Sequence, residues 1–160
     1  MKKLNVRIDE RLIHGQVATM WTNLLNIQRI IVVDDEVIKS TTEKEVLKMA
    51  KPASVKLSIL SERGASERIV AGKYDDENVL ILVKNPLTIL SLVNNGVNVE
   101  EIIVGNLSKK EGGRVITRSI NINKEDENAF EELNEKGIKI YSQMVPNDAK
   151  KDFIKLMKEV

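Results

Sequence analysis

His14 is the only histidine in the chain. It lies in the run Asp9-Glu10-Arg11-Leu12-Ile13-His14-Gly15-Gln16-Val17. Imidazole is a nucleophile close to neutral pH. The guanidinium of Arg11, permanently charged, can fork onto two phosphate oxygens. Asp9 is expected to accept a hydrogen bond from one ring nitrogen and so leave the other free to attack. Gly15 lets backbone come close to an oxyanion. A helix opening here would also present the first-turn amides of Gly15 and Gln16 as an anion site. These parts suit phosphoryl acceptance, which needs positioning and charge and little else. An ordinary reading stands beside it, with a structural histidine and an Asp9–Arg11 surface pair of small energetic value.

The elements that must hold this run are read from period and punctuation. Lys3–Asp9 alternates as a first strand, and His14–Leu25 carries Val17, Met20, Trp21, Leu24 and Leu25 at helical spacing. The stripe Met20, Trp21, Leu24, Leu25 is expected in the core. Strands are predicted at Arg29–Val33, Val55–Leu60, Val79–Val83 (the deepest), Glu101–Val104, Ser119–Ile122 (weak) and Ile138–Tyr141. Helices are predicted from Thr42 to Ala50, Ser61 to Gly72, Pro86 to Asn95-Gly96, Asp126 to Lys136 and Asp148 to Lys158. The stretch 108–118 reads as a surface loop, with Lys109, Lys110 and Arg114 as its solvated face and Gly112-Gly113 as a flexible turn. Strands alternating with helices imply βαβ units. The predicted fold is α/β: an open, mostly parallel, doubly wound sheet of about seven strands with helices on both faces, in a single domain over 1–160. Ligands of such sheets bind at the carboxyl ends of the strands, where His14 falls.

Composition removes whole classes of function. Without cysteine there is no disulfide, thiolate zinc site or cysteine nucleophile. With one histidine and no cysteine, a transition-metal site would have to be made almost wholly of oxygen ligands, so neither a metal nor a cofactor is expected. Asp34-Asp35 could serve magnesium only with a nucleotide, and no GxxxxGK[ST] run exists to hold one; a solvated loop or helix cap is expected of them. A net charge of +1 and scattered aromatic residues argue against nucleic acid. The first ten residues lack an apolar stretch of signal-peptide length, and the apolar runs are too short to span a bilayer. The expected location is cytoplasmic.

The run from Arg7 to Val17 closely resembles the phosphorylation motif of the mannose/fructose/sorbose-family IIB subunits of the bacterial phosphoenolpyruvate-dependent sugar phosphotransferase system. Ile30–Val37, Leu47–Pro52, Val83-Lys84-Asn85-Pro86 and Ile103-Val104-Gly105-Asn106 are similar to the same family, so the likeness covers essentially the whole chain. The resemblance implies a phosphohistidine–sugar phosphotransferase with His14 as the phosphohistidine, phosphorylated at Nδ1 with Nε2 left for a hydrogen bond. It implies Arg11 as the residue contacting the phosphoryl group and Asp9 as a nearby acidic position. It further implies a IIA phosphocarrier as donor and IIC/IID membrane subunits with their sugar as acceptor, hence peripheral association with the transporter. A homodimer stays open, as does the choice among mannose, fructose, sorbose and amino sugars such as N-acetylgalactosamine. The chain departs from the family pattern at Asp34, where asparagine is common, and at Val104-Gly105-Asn106-Leu107, where Asn-Val-Gly-Gly is common. Two other classes compete: a non-catalytic regulatory or ligand-binding domain on the same scaffold, and a nucleotide-dependent enzyme, which lacks both nucleotide signatures.

Overall fold

The computed structural model describes residues 3–159. Seven strands form one sheet in the order β3-β2-β4-β1-β5-β8-β9, where β1 is Leu4–Asp9, β2 Arg29–Val33, β3 Lys56–Leu60, β4 Val79–Val83, β5 Glu101–Asn106, β8 Lys139–Ser142 and β9 Lys151–Asp152. All pairings are parallel except β8 with β9. The five residues of β4 are all buried, as its unbroken Val-Leu-Ile-Leu-Val run requires of a strand covered on both faces.

Helices cover both faces unequally. α3 (Glu62–Val70), α4 (Pro86–Asn94), α5 (Lys124–Glu135) and α6 (Phe153–Glu159) bury Ile69, Leu92, Phe130 and Phe153 with Val6, Ile8 and Ile81. On the opposite face α1 (Gly15–Leu24) and α2 (Thr41–Ala50) bury Trp21 and Leu47 with Ile30, Val32 and Leu82. Successive strand residues point to opposite faces. Val6 and Ile8 therefore enter the first core, while Arg7 and Asp9 emerge on the α1 side. Helix starts are capped where the sequence offers a cap: Ser40, Ser61 and Asn85 each accept an amide of the first turn, and Asn123 and Asp126 close a reciprocal capping box.

Three expectations are corrected. First, the stretch 108–118 is not wholly loop: Arg114–Thr117 (β6) pairs antiparallel with Ile120–Ile122 (β7), outside the main sheet. The weak sixth strand thus belongs to a hairpin, tied to the end of β5 because Leu107 N–H donates to Ser119 O and Asn121 N–H to Leu107 O. Second, the last helix begins at Phe153 rather than Asp148. The Asp148 carboxylate accepts the Val145 amide and closes a turn, and Lys151–Asp152 pairs with β8 before the helix starts. Third, of the α1 stripe Trp21 is buried and Leu25 half-buried, while Met20 and Leu24 are exposed, since α1 rests on the sheet through Ala18, Trp21 and Thr22.

Candidate functional site

β1 delivers the chain to the carboxyl edge between β4 and β5, and residues 10–14 turn it into α1. Leu12 N–H donates to Asp9 O at 2.8 Å and closes the turn. Leu12 adopts φ +59°, a left-handed conformation that costs a bulky residue about 1–2 kcal/mol. The cost is met because Leu12 and Ile13 are driven into the α1-side core, at 6% and 5% exposure. His14 then stands exposed as the N-cap residue of α1, with φ −133° and ψ 103°. Its side chain makes no capping bond and so takes none of the first-turn amides of the helix. Gly15, at φ +47°, uses a conformation that glycine alone enters cheaply.

Arg11 lies under tight control. Its Nε and NH2 groups donate to the two carboxylate oxygens of Asp9, each at 3.0 Å, and its backbone N–H donates to Oδ1 at 3.0 Å. The guanidinium is 29% exposed and the carboxylate 2%. The Asp9 hydrogen bond strengthens the charged form of Arg11 and raises its pKa. This corrects the expectation for Asp9. Among the described residues its partners are Arg11 and, at 3.7 Å, Arg7, and it makes no bond to His14. The carboxylate orients the guanidinium and not the imidazole, because alternation puts it below the strand end where the Arg11 fork folds back.

Glu10 braces the other side of the loop. Its backbone N–H donates to Asn106 O, and its carboxylate accepts from Ser108 and pairs with Lys110. Burial pushes this carboxyl up, but the Ser108 and Lys110 contacts outweigh it and the pKa is lowered. Lys110 also faces Asp126, and Arg114 pairs with Glu127. The expected solvated cationic face is therefore mostly neutralised, with Lys109 exposed. Asp34 accepts the amides of Glu36 and Val37, and Asp35 that of Glu62 at the start of α3, so both carboxylates serve as caps. Among the described residues no group of three or more His, Asp or Glu side chains could hold a metal. No helix among them is long and apolar enough to cross a membrane.

Sequence reasoning passed over Arg7 and Gly105. Arg7 is 3% exposed and donates to the carbonyls of Gln143 (2.8 Å) and Met144 (2.6 Å), with its guanidinium 4.8 Å above the Trp21 ring. A Cβ at Gly105 would overlap that guanidinium. The available signal was a charge between Val6 and Ile8, inside a strand rather than at its end.

The family model described as PTS system sorbose subfamily IIB component matches residues 4–160. The fructose-specific EIIB component of Bacillus subtilis (strain 168) is 33% identical over 96% of this chain and 94% of its own length. The mannose-specific EIIAB component of Escherichia coli (strain K12) is 34% identical over 96% of this chain and 48% of that protein. The crystal structure of the IIBSor domain of the sorbose permease from Klebsiella pneumoniae superposes with a TM-score of 0.95 at 31% identity, covering 100% of this chain and 98% of that one. With the sheet order, the edge loop and these likenesses in agreement, the chain belongs to the sorbose subfamily of phosphotransferase-system IIB components.

Proposed function

We propose that His14 receives a phosphoryl group from a phosphohistidine of a IIA partner and passes it to a sugar carried by IIC/IID membrane subunits. In the first step the Nδ1 lone pair of His14 attacks phosphorus while the donor's N–P bond breaks, and the donor imidazole leaves neutral. In the second step a sugar hydroxyl attacks, its O–P bond forms, the His14 N–P bond breaks and the hydroxyl proton is released. Arg11 balances charge on the equatorial oxygens in both steps, and the first-turn amides of Gly15 and Gln16 hold the group on the imidazole. Nε2 stays available to a hydrogen-bond acceptor that fixes the ring.

The observation carrying this reading is an exposed, uncapped histidine at a helix N-terminus, three residues after an arginine whose fork is preset by a buried carboxylate. The A portion named in the E. coli EIIAB relative supports a IIA donor. The sugar names of the relatives span fructose, mannose, sorbose and N-acetylgalactosamine, so the acceptor class is a hexose or an amino-sugar derivative of one, read with the membrane subunits in place. In the test, a radiolabelled, phosphorylated IIA protein is mixed with wild-type chain and with His14→Gln. Wild type takes the label in acid-labile form and the variant, folded by circular dichroism, takes none. A folded His14→Gln protein that still acquires acid-labile label would end the proposal.

A further inference from the structure

Arg7 is charged, buried and unused by the transfer step just described. A salt bridge this deep is a weak source of stability, and a well-packed apolar residue of similar volume does as well or better. An apolar residue could not, however, balance a second buried charge, and Asp9 is 1% exposed. Asp9 and Arg11 alone sum to zero. With Arg7, whose NH2 lies 3.7 Å from Asp9 Oδ2, the group carries one net positive charge toward an incoming phosphoryl with nearly two negative ones. Arg7 is itself clamped by the Gln143 and Met144 carbonyls and the Trp21 ring, and Trp21 Nε1–H donates to the same Met144 carbonyl. Gly105 leaves the space the guanidinium occupies.

We propose that Arg7 is a positioning residue of the phosphoryl site. Held by the loop after β8, it fixes the Asp9 carboxylate, which fixes the Arg11 guanidinium in the loop that carries His14, and it supplies the net positive charge of the group. The inference rests on the reading of His14 as phosphoryl acceptor and adds the residue that sets the geometry of Arg11 from beneath. Burial lowers the Arg7 pKa to about 10, against the opposing pull of Asp9, so the group stays charged at neutral pH. Lysine cannot replace it, because a single ammonium cannot fork between two carbonyls and still lie against both a ring and a carboxylate.

The test uses phosphoramidate as a small phosphoryl donor, so that partner docking plays no part. Arg7→Lys and Gly105→Ala are each made in the wild-type chain and in the Arg11→Ala chain. Gly105→Ala leaves every charge in place while its methyl displaces the Arg7 guanidinium, and it decides the matter if Arg7→Lys does not fold. Labelling of His14 is expected to slow by about tenfold or more in either single variant. In the Arg11→Ala background the further loss stays below about twofold, because the effect runs through Arg11. The Arg11 Nε–H proton resonance, protected in wild type by Asp9, broadens in both variants. An equal loss in both backgrounds, or an unchanged Arg11 Nε–H resonance, overturns the inference while leaving His14 as acceptor. Wild-type chain that takes no label at His14 overturns the functional reading itself.

Discussion

Replacing Asp9 by asparagine keeps the shape of the buried side chain and removes its charge. The amide oxygen of the new side chain can still accept the Arg11 backbone N–H and Nε–H. Its NH2 group, however, then opposes Arg11 NH2, where Asp9 Oδ2 accepts at 3.0 Å in the wild type. Losing one charge-assisted bond costs about 1.5–3 kcal/mol. Arg11 is 29% exposed and recovers part of this from water. Arg7 recovers little. At 3.7 Å and an effective dielectric of about 20, its attraction to the carboxylate is about 4 kcal/mol before solvation is counted. Its two carbonyl acceptors remain, which limits the damage. The net expectation is a loss of about 2–4 kcal/mol, at or below the roughly 3–5 kcal/mol of an uncompensated buried charge. For a chain of this size that is a fall in Tm of about 5–15 °C. Urea unfolding followed by far-ultraviolet circular dichroism measures it, with an unchanged slope confirming that the same surface is exposed. A loss under about 0.5 kcal/mol, the level of an exposed ion pair, would refute the account of Asp9 as the buried anchor of two guanidinium groups.

Two further outcomes follow from particular contacts. Gly15→Ala meets nothing within 4 Å but keeps φ +47°, so it should cost about 1 kcal/mol by urea unfolding and slow His14 labelling; no change in either would show that the loop adopts another conformation freely. Glu77 receives the Arg29 side chain, with Lys56 also near, and these hold its carboxyl below the usual carboxylate range. A lowered pKa in the folded state adds stability that is present above the unfolded value of about 4.3 and is lost as the pH falls through the folded value. Glu77→Gln should therefore be less stable than wild type at about pH 7 and converge on it well below about pH 4. A constant difference across that range counts against the ion pair as the cause.

Most of the architecture was legible because its signals are local. The Val79–Val83 run needs no partner to be read as a doubly covered strand, and Ser61 and Pro86 mark helix starts through their own chemistry. Arg114–Thr117 was not legible, since it becomes a strand only by pairing with residues 120–122. The short strand before α6 escaped for the same reason: two residues carry no periodicity, and only the pairing with β8 makes them a strand. The α1 stripe was misjudged because helical period finds an apolar face but not the angle at which the helix lies on its sheet. That angle leaves Met20 and Leu24 outside.

At the site, chain order alone supplied the imidazole, the nearby arginine and the glycine that follows, together with their place at a strand's carboxyl end. Those features depend on residue type and spacing within one short loop. An Asp9–Arg11 pair could be read from the loop itself, but its burial and the addition of Arg7 were decided by the tertiary structure: the pleat sends Arg7 and Asp9 to the α1 side, the fork of Arg11 folds back to meet them, and the loop after β8 closes over Arg7 from 136 residues away. Burial depends on what lies near in space, and a linear sequence does not carry the distance from β1 to the loop after β8.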